Sequence, residues 1–274
     1  MNTPDIKKNI LKVIFIGAGN VAARMSLSMK DAGFSILQVF SRTEENARML
    51  GKQLTCDFIT ETSQIRTDAD IYIFSIKDDI LPNIIAEIPV NNGIWAHTAG
   101  SVPIDVFEGY AERYGVIYPL QTLSKNRYTD FRKIPLFVEG NAEASEKEIR
   151  IIAEKISENV YLMTSEKRRY LHLAAVFACN FSNHMYRIAT QILEEQDIDR
   201  QVLQPLIDET ANKLYTMSPD KAQTGPAIRY DRNIINRHLA LLKDPDIRNI
   251  YESISKNIHE KTGTAGYPPP ITAP

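Results

Sequence analysis

The residues best suited to chemistry by type and spacing begin at position 17. Gly17-Ala18-Gly19-Asn20-Val21-Ala22 follows directly on the apolar run Val13-Ile14-Phe15-Ile16, and an amphipathic stretch follows in turn. A strand that runs into G-x-G-x-x-A and then into a helix is a phosphate cradle. Gly17 makes the tight turn, Gly19 lets the backbone approach a pyrophosphate, and Ala22 lets the helix pack close to the sheet. The free N–H groups and positive dipole end of that helix favour anions. A lone glycine turn is a weak signal. Here strand, loop, helix and a second strand–helix unit stand in order, which is the context a dinucleotide site demands.

The second candidate strand, residues 36–40, ends in Ser41-Arg42-Thr43. A site for NAD usually places Asp or Glu here to hold the ribose hydroxyls. This chain offers two hydroxyls and a guanidinium instead, and Arg42 suits a paired, charge-assisted contact with a 2′-phosphate. The expected cofactor is therefore NADP, held by Gly17, Ala18, Gly19, Asn20 and Val21 at the first loop and by Ser41, Arg42 and Thr43 at the second. Capping of the helix at Glu44-Glu45 by Ser41 or Thr43 is compatible with that role. Ser75 and Ile76 at the end of the next strand, Lys77 at the start of the helix after it, and Thr98-Ala99-Gly100 at the end of the strand that follows are expected beside the cofactor, with Asp78 as a helix N-cap. His97 divides evenly between a core histidine and a cleft residue, and the roles of Tyr118 and Arg229 stay open.

Residues 171–186 are apolar almost all round, the pattern of a buried helix. His172, Asn180, Asn183 and Arg187 interrupt it and, at about 100° per residue, fall within an arc of about 80°. A polar stripe on a buried helix must be paired or wetted. Lining a substrate cleft satisfies that condition, and so does pairing across a dimer. On the first reading Asn180, His172 and Asn183 are the candidate catalytic residues. Asn180 leads because an amide both donates and accepts, and so orients a carbonyl or imine. For His172 the two readings weigh equally. Thr224-Gly225-Pro226 reads as a helix stop and start, followed by Arg229 and Asp231, which close over substrate or, on the slightly favoured reading, form a surface pair.

The elements that must position these groups alternate. Strand candidates at 12–16, 36–40, 71–75, 94–97, 115–118, 135–138 and 160–163, with a short one at 56–59, are separated by helical stretches such as 21–32, 44–50, 79–87 and 144–157. Such alternation implies crossovers and a mainly parallel sheet. After Met163 only helical patterns remain, at 165–193, 199–216, 227–243 and 246–261, before an irregular Gly- and Pro-rich tail at 263–274. The expected fold class is an α/β Rossmann domain with a mainly parallel sheet, residues 1–163, followed by an all-α domain, residues 164–274. About three further helices cover only part of the long apolar one, so a homodimer through the C-terminal helices is expected.

The bulk properties narrow the partners. Lys+Arg of 32 against Asp+Glu of 34 gives a net charge of -2, which removes the electrostatic case for nucleic acid or an anionic membrane. No apolar run reaches bilayer length, and the polar start lacks the apolar core of a signal peptide. Cys56 and Cys179 form neither a metal spacing nor a disulfide framework. A cytoplasmic chain with a small-molecule substrate and no metal is expected.

The first two loops resemble those of pyrroline-5-carboxylate reductases and deazaflavin-dependent NADP oxidoreductases. Across most of the chain, the segments Ser75-Ile76-Lys77-Asp78-Asp79, His97-Thr98-Ala99-Gly100-Ser101, Tyr118-Pro119-Leu120-Gln121-Thr122 and His172-Leu173-Ala174-Ala175-Val176-Phe177-Ala178-Cys179-Asn180 resemble Rossmann-like bacterial proteins with a C-terminal domain of unknown function. So does Thr224-Gly225-Pro226-Ala227-Ile228-Arg229-Tyr230-Asp231. The resemblance implies an NADP-type fold, a helical dimerisation domain and oxidoreductase activity, without a catalytic residue. The chain departs from that pattern at Tyr118, where the family often has His. It also lacks the Gly-x-x-x-Lys-x-x-x-Asn segment of β-hydroxyacid dehydrogenases. Hydride transfer between NADPH and a small carbonyl or imine compound is the expected function. A non-catalytic NADP-binding dimer is the alternative, and a methyltransferase is disfavoured by Arg42.

Overall fold

The computed structural model describes residues 10–262; the tail expected at 263–274 and the first nine residues of the polar start lie outside them. Among the described residues one sheet is built from β1 (Lys12–Ile16), β2 (Ser35–Phe40), β3 (Asp57–Ile59), β4 (Ile71–Phe74), β5 (Ile94–His97), β6 (Tyr114–Pro119), β7 (Leu136–Gly140) and β8 (Val160–Leu162). The strand order is β3-β2-β1-β4-β5-β6-β7-β8. Every neighbouring pair is parallel except β6 and β7. The helices interleaved with these strands are α1 (Asn20–Asp31), α2 (Glu44–Leu54), α3 (Leu81–Glu87) and α4 (Glu143–Glu154).

β1 is an unbroken apolar run because both of its faces are covered. Val13 and Phe15 pack in one core with Ala22, Met25 and Ile149, while Ile14 and Ile16 pack in the other with Phe74, Trp95 and Phe107. The register brings the last residues of four strands level: Ile16 pairs with Phe40 on one side and Phe74 on the other, and Phe74 pairs with His97. The loops leaving β2, β1, β4 and β5 therefore start from one line. The chain order reverses between β1 and β4, which is where an open parallel sheet forms its ligand crevice.

The helical pattern at 165–193 is α5 (Ser165–Ala175), a π-helical turn (Val176–Phe181) and α6 (Ser182–Glu194). This corrects two expectations. A uniform 100° per residue does not hold across a π turn, so the polar stripe from His172 to Arg187 is not one arc. Nor is this helix buried within the chain, since Tyr170, Leu173, Phe177, Phe181 and Tyr186 are all exposed.

The described residues fall into two compact units, one ending at Phe181 and the other starting at Ser182. The first includes α5, which buried polar bonds tie to the sheet. The second is helical and includes α7 (Gln204–Lys213), α8 (Pro219–Ala222), α9 (Arg232–Leu241) and α10 (Pro245–Thr262). Asp231, expected to pair with Arg229, instead caps α9 by accepting from the Ile234 N–H at 3.3 Å. Among the described residues no helix is long and apolar enough to cross a membrane, and no cluster of His, Cys, Asp and Glu is arranged to hold a metal ion.

Candidate active site

The level strand ends open onto a cleft of about 1120 Å³ built within the first unit. Pockets for drug-sized ligands run to about 1,000 Å³, so a dinucleotide has room here. Gly17 adopts φ +119°, and a Cβ at this position would stand 2.2 Å from the Ser75 carbonyl oxygen, so no other residue fits between β1 and β4. A Cβ on Gly19 would meet nothing within 4 Å; its bare backbone faces open space. Gly19 is the N-cap of α1 and supplies no side-chain cap, which leaves the first N–H groups of the helix to a ligand.

The second loop repeats the arrangement. Thr43 is the N-cap of α2 but its side chain makes no capping bond, and Ser41 Oγ instead accepts from the Thr43 N–H at 3.3 Å. Arg42 is exposed and forms no ion pair among the described residues. Two uncapped helix ends and an unpaired guanidinium, with no carboxylate among residues 41–43, fit a pyrophosphate and a 2′-phosphate.

At the far end the cleft meets Tyr118, Leu171, His172 and Asn180. The Tyr118 hydroxyl lies 3.0 Å from His172 Nδ1. Two rulers of matching length bring them together. On β7, Glu139 pairs with Val116 of β6 and binds Arg168 of α5 at 2.6 Å. Two residues along the strand from Val116 is Tyr118, a rise of about 6.6 Å. Four residues along the helix from Arg168 is His172, a rise of about 6 Å on the same face. Gly100 completes the fit: a Cβ there would sit 2.6 Å from the His172 ring. Burial raises the Tyr118 pKa above the usual phenol value against a weaker opposing pull from Arg168, so the phenol holds its proton at neutral pH.

Arg168 is fully buried, with Nη2 donating to the Val102 carbonyl at 2.5 Å and to Ser165 Oγ at 3.0 Å. The Ser165 hydroxyl donates to Glu139 at 2.6 Å, and its backbone N–H donates to the other carboxylate oxygen at 2.9 Å. His97 belongs to the core. It is fully buried, accepts from the Ala99 N–H at 3.2 Å, and burial together with the Arg168 charge lowers its pKa to about 3, so it stays neutral. Asp78 is not a cap: its carboxylate takes the Ser101 hydroxyl, and α3 starts only at Leu81.

The cleft thus gathers the whole expected cofactor set: Gly17, Ala18, Gly19, Asn20, Val21, Ser41, Arg42, Thr43, Ser75, Ile76, Lys77, Thr98, Ala99 and Gly100. His172 and Asn180 join it, while Asn183 lies in the second unit. Sequence reasoning missed Lys125, Asn46 and the Tyr118–His172 pairing. No local pattern announces contacts that close over 79 and 54 residues.

Fold and cleft define a Rossmann-type nucleotide-binding protein with a helical second half. Residues 12–99 match the family described as NADP oxidoreductase coenzyme F420-dependent, and residues 134–258 match a domain of unknown function (DUF2520). No curated protein matches the chain. Among solved structures, a Bacteroides fragilis protein assigned to the NADP oxidoreductases is 43% identical, with a TM-score of 0.86 over 91% of this chain and 98% of that one. A Thermotoga maritima protein is 19% identical at a TM-score of 0.75, covering 92% of this chain and 100% of its own. A 1-pyrroline-5-carboxylate reductase from Streptococcus pyogenes is 12% identical at 0.62, covering 92% and 98%; these last two share the fold. The chain belongs to the NADP oxidoreductase family of the Bacteroides fragilis protein.

Proposed function

We propose that the chain reduces a small carbonyl or imine compound with NADPH. The observation that carries this reading is the protonated Tyr118 hydroxyl set against His172 in the same cleft as the glycine loop. NADPH, when bound, supplies the hydride. Tyr118 gives its proton to the substrate oxygen or nitrogen as charge develops there, and His172, with Nδ1 as donor, stabilises the phenolate left behind. Asn180 orients the same polar atom from the π turn. Oxidation of NADPH against pooled carbonyl and imine compounds tests the reading; consumption with none of them counts against it.

Cofactor choice follows from Arg42. Arg42→Ala is expected to weaken NADPH binding by about tenfold to a hundredfold, the worth of a charge-assisted bond, and to leave NADH nearly unchanged. Calorimetry with both cofactors decides it, and equal losses reject a contact with the 2′-phosphate.

We also infer a homodimer. Leu173, Phe177 and Phe181 expose apolar surface along α5 and the π turn, and a second copy buries it by an isologous contact. Sedimentation at micromolar concentration is expected to give twice the chain mass; a monomer rejects the inference.

A further inference from the structure

We propose that Lys125, on the connection between β6 and β7, is the second cation of the 2′-phosphate subsite and sets the preference for NADPH together with Arg42. The proposal rests on the reading of this cleft as an NADP site.

Lys125 bridges the two cofactor loops. Its backbone N–H donates to Asn20 Oδ1 at 3.2 Å, and Asn20 is the first residue of α1 after the glycine loop. Its Nζ donates to Asn46 Oδ1 at 2.8 Å, and Asn46 lies in the first turn of α2, just beyond Ser41-Arg42-Thr43. The ammonium therefore stands at the helix end where a 2′-phosphate belongs, and Lys125, Asn46 and Arg42 all line the cleft. Its partner is a neutral amide, and it forms no ion pair among the described residues, so its full charge is available to an anion.

The connection is held in place before any ligand arrives. Leu123 and Phe131 at its two ends are buried in the main core. Between them Arg24 of α1 donates to the Thr129 carbonyl at 3.2 Å and stacks over the Tyr128 ring. Lys125 itself is half-buried, so less side-chain freedom is lost when it meets a ligand.

Charge balance calls for a second cation here. A phosphomonoester carries between one and two negative charges at neutral pH. The first turn of α2 also contains Glu44 and Glu45, whose carboxylates oppose an anion at that helix end. Arg42 alone leaves this excess unmatched, and Lys125 is the ammonium that the fold brings to Asn46. NADH has no 2′-phosphate and gains little from it.

The test is calorimetric titration of the wild type, Lys125→Ala and Lys125→Arg with NADPH, NADH, adenosine 2′,5′-bisphosphate and 5′-AMP. Lys125→Ala is expected to lose about tenfold in affinity for NADPH and for the bisphosphate, with NADH and 5′-AMP changed by less than about twofold. Lys125→Arg restores most of the loss, and unliganded melting temperatures stay equal. Equal losses for NADPH and NADH place Lys125 on the pyrophosphate instead and overturn the proposal, as does an unchanged NADPH affinity. A wild type that binds neither NADPH nor the bisphosphate overturns the cofactor reading and this proposal with it. Tight wild-type binding of NADPH with an indifferent Lys125→Ala overturns this proposal alone.

Discussion

Glu139→Leu is expected to lower the stability of the first unit by about 3–5 kcal/mol, the usual cost of stripping one partner from a buried ion pair. The Arg168 side chain is fully buried and that of Glu139 is 15% exposed, so water cannot replace the lost carboxylate. The guanidinium would keep the Val102 carbonyl and Ser165 Oγ, but its Nε already lacks a partner. Ser165 would lose both of its bonds to Glu139. Urea denaturation checks this as a lower midpoint at constant slope. The double variant Glu139→Leu/Arg168→Met is expected to recover a large part of the loss, because no uncompensated charge stays behind. A single-variant loss under about 1 kcal/mol would mean that the pair is effectively solvated and does not hold α5 to the sheet.

Tyr118→Phe is expected to reduce turnover by about a hundredfold to ten-thousandfold, the range for losing a positioned proton donor. The substitution removes one oxygen, and the ring keeps its packing against Phe137 at 6.5 Å between centroids. NADPH affinity should therefore match the wild type, and stability should fall only by the bond lost to His172, about 1 kcal/mol, which separates chemistry from folding. The raised phenol pKa fixes the pH dependence: the acid form is required, so turnover holds through neutral pH and falls only above the ordinary phenol range near 10. The measurement is the rate of NADPH oxidation with whichever carbonyl or imine compound the wild type accepts. Equal rates in the two proteins would remove Tyr118 from the chemistry.

What the sequence disclosed follows from range. β1 and the glycine loop are contiguous, and a strand buried on both faces announces itself as an apolar run, so Lys12–Ile16 and the turn at Gly17 were legible residue by residue. Ser41, Ser75 and Thr98 were legible for the same reason, since each directly follows the last residue of its strand. The expected burial of residues 171–186 is not found, because an apolar pattern does not say what covers it, and Leu173, Phe177, Phe181 and Tyr186 are exposed. Arg168 was overlooked in the polar stretch Ser165-Glu166-Lys167-Arg168, which reads as an exposed helix start; its partner Glu139 lies 29 residues away on an antiparallel strand. An acid closing the apolar strand Leu136-Phe137-Val138 was the one local hint.

The anchoring of α5 acts as a short lever. Tilt the helix by about 10° about the buried guanidinium and His172, about 6 Å away, shifts by about 1 Å. Asn180 is three times as many residues from that fulcrum, so the same tilt carries it about 3 Å. Displacements near 1 Å already slow a reaction, which makes stiffness most valuable at the proton donor's partner. On the proposed function, a given tilt of α5 therefore displaces the cleft wall at Asn180 more than it displaces the partner of the proton donor.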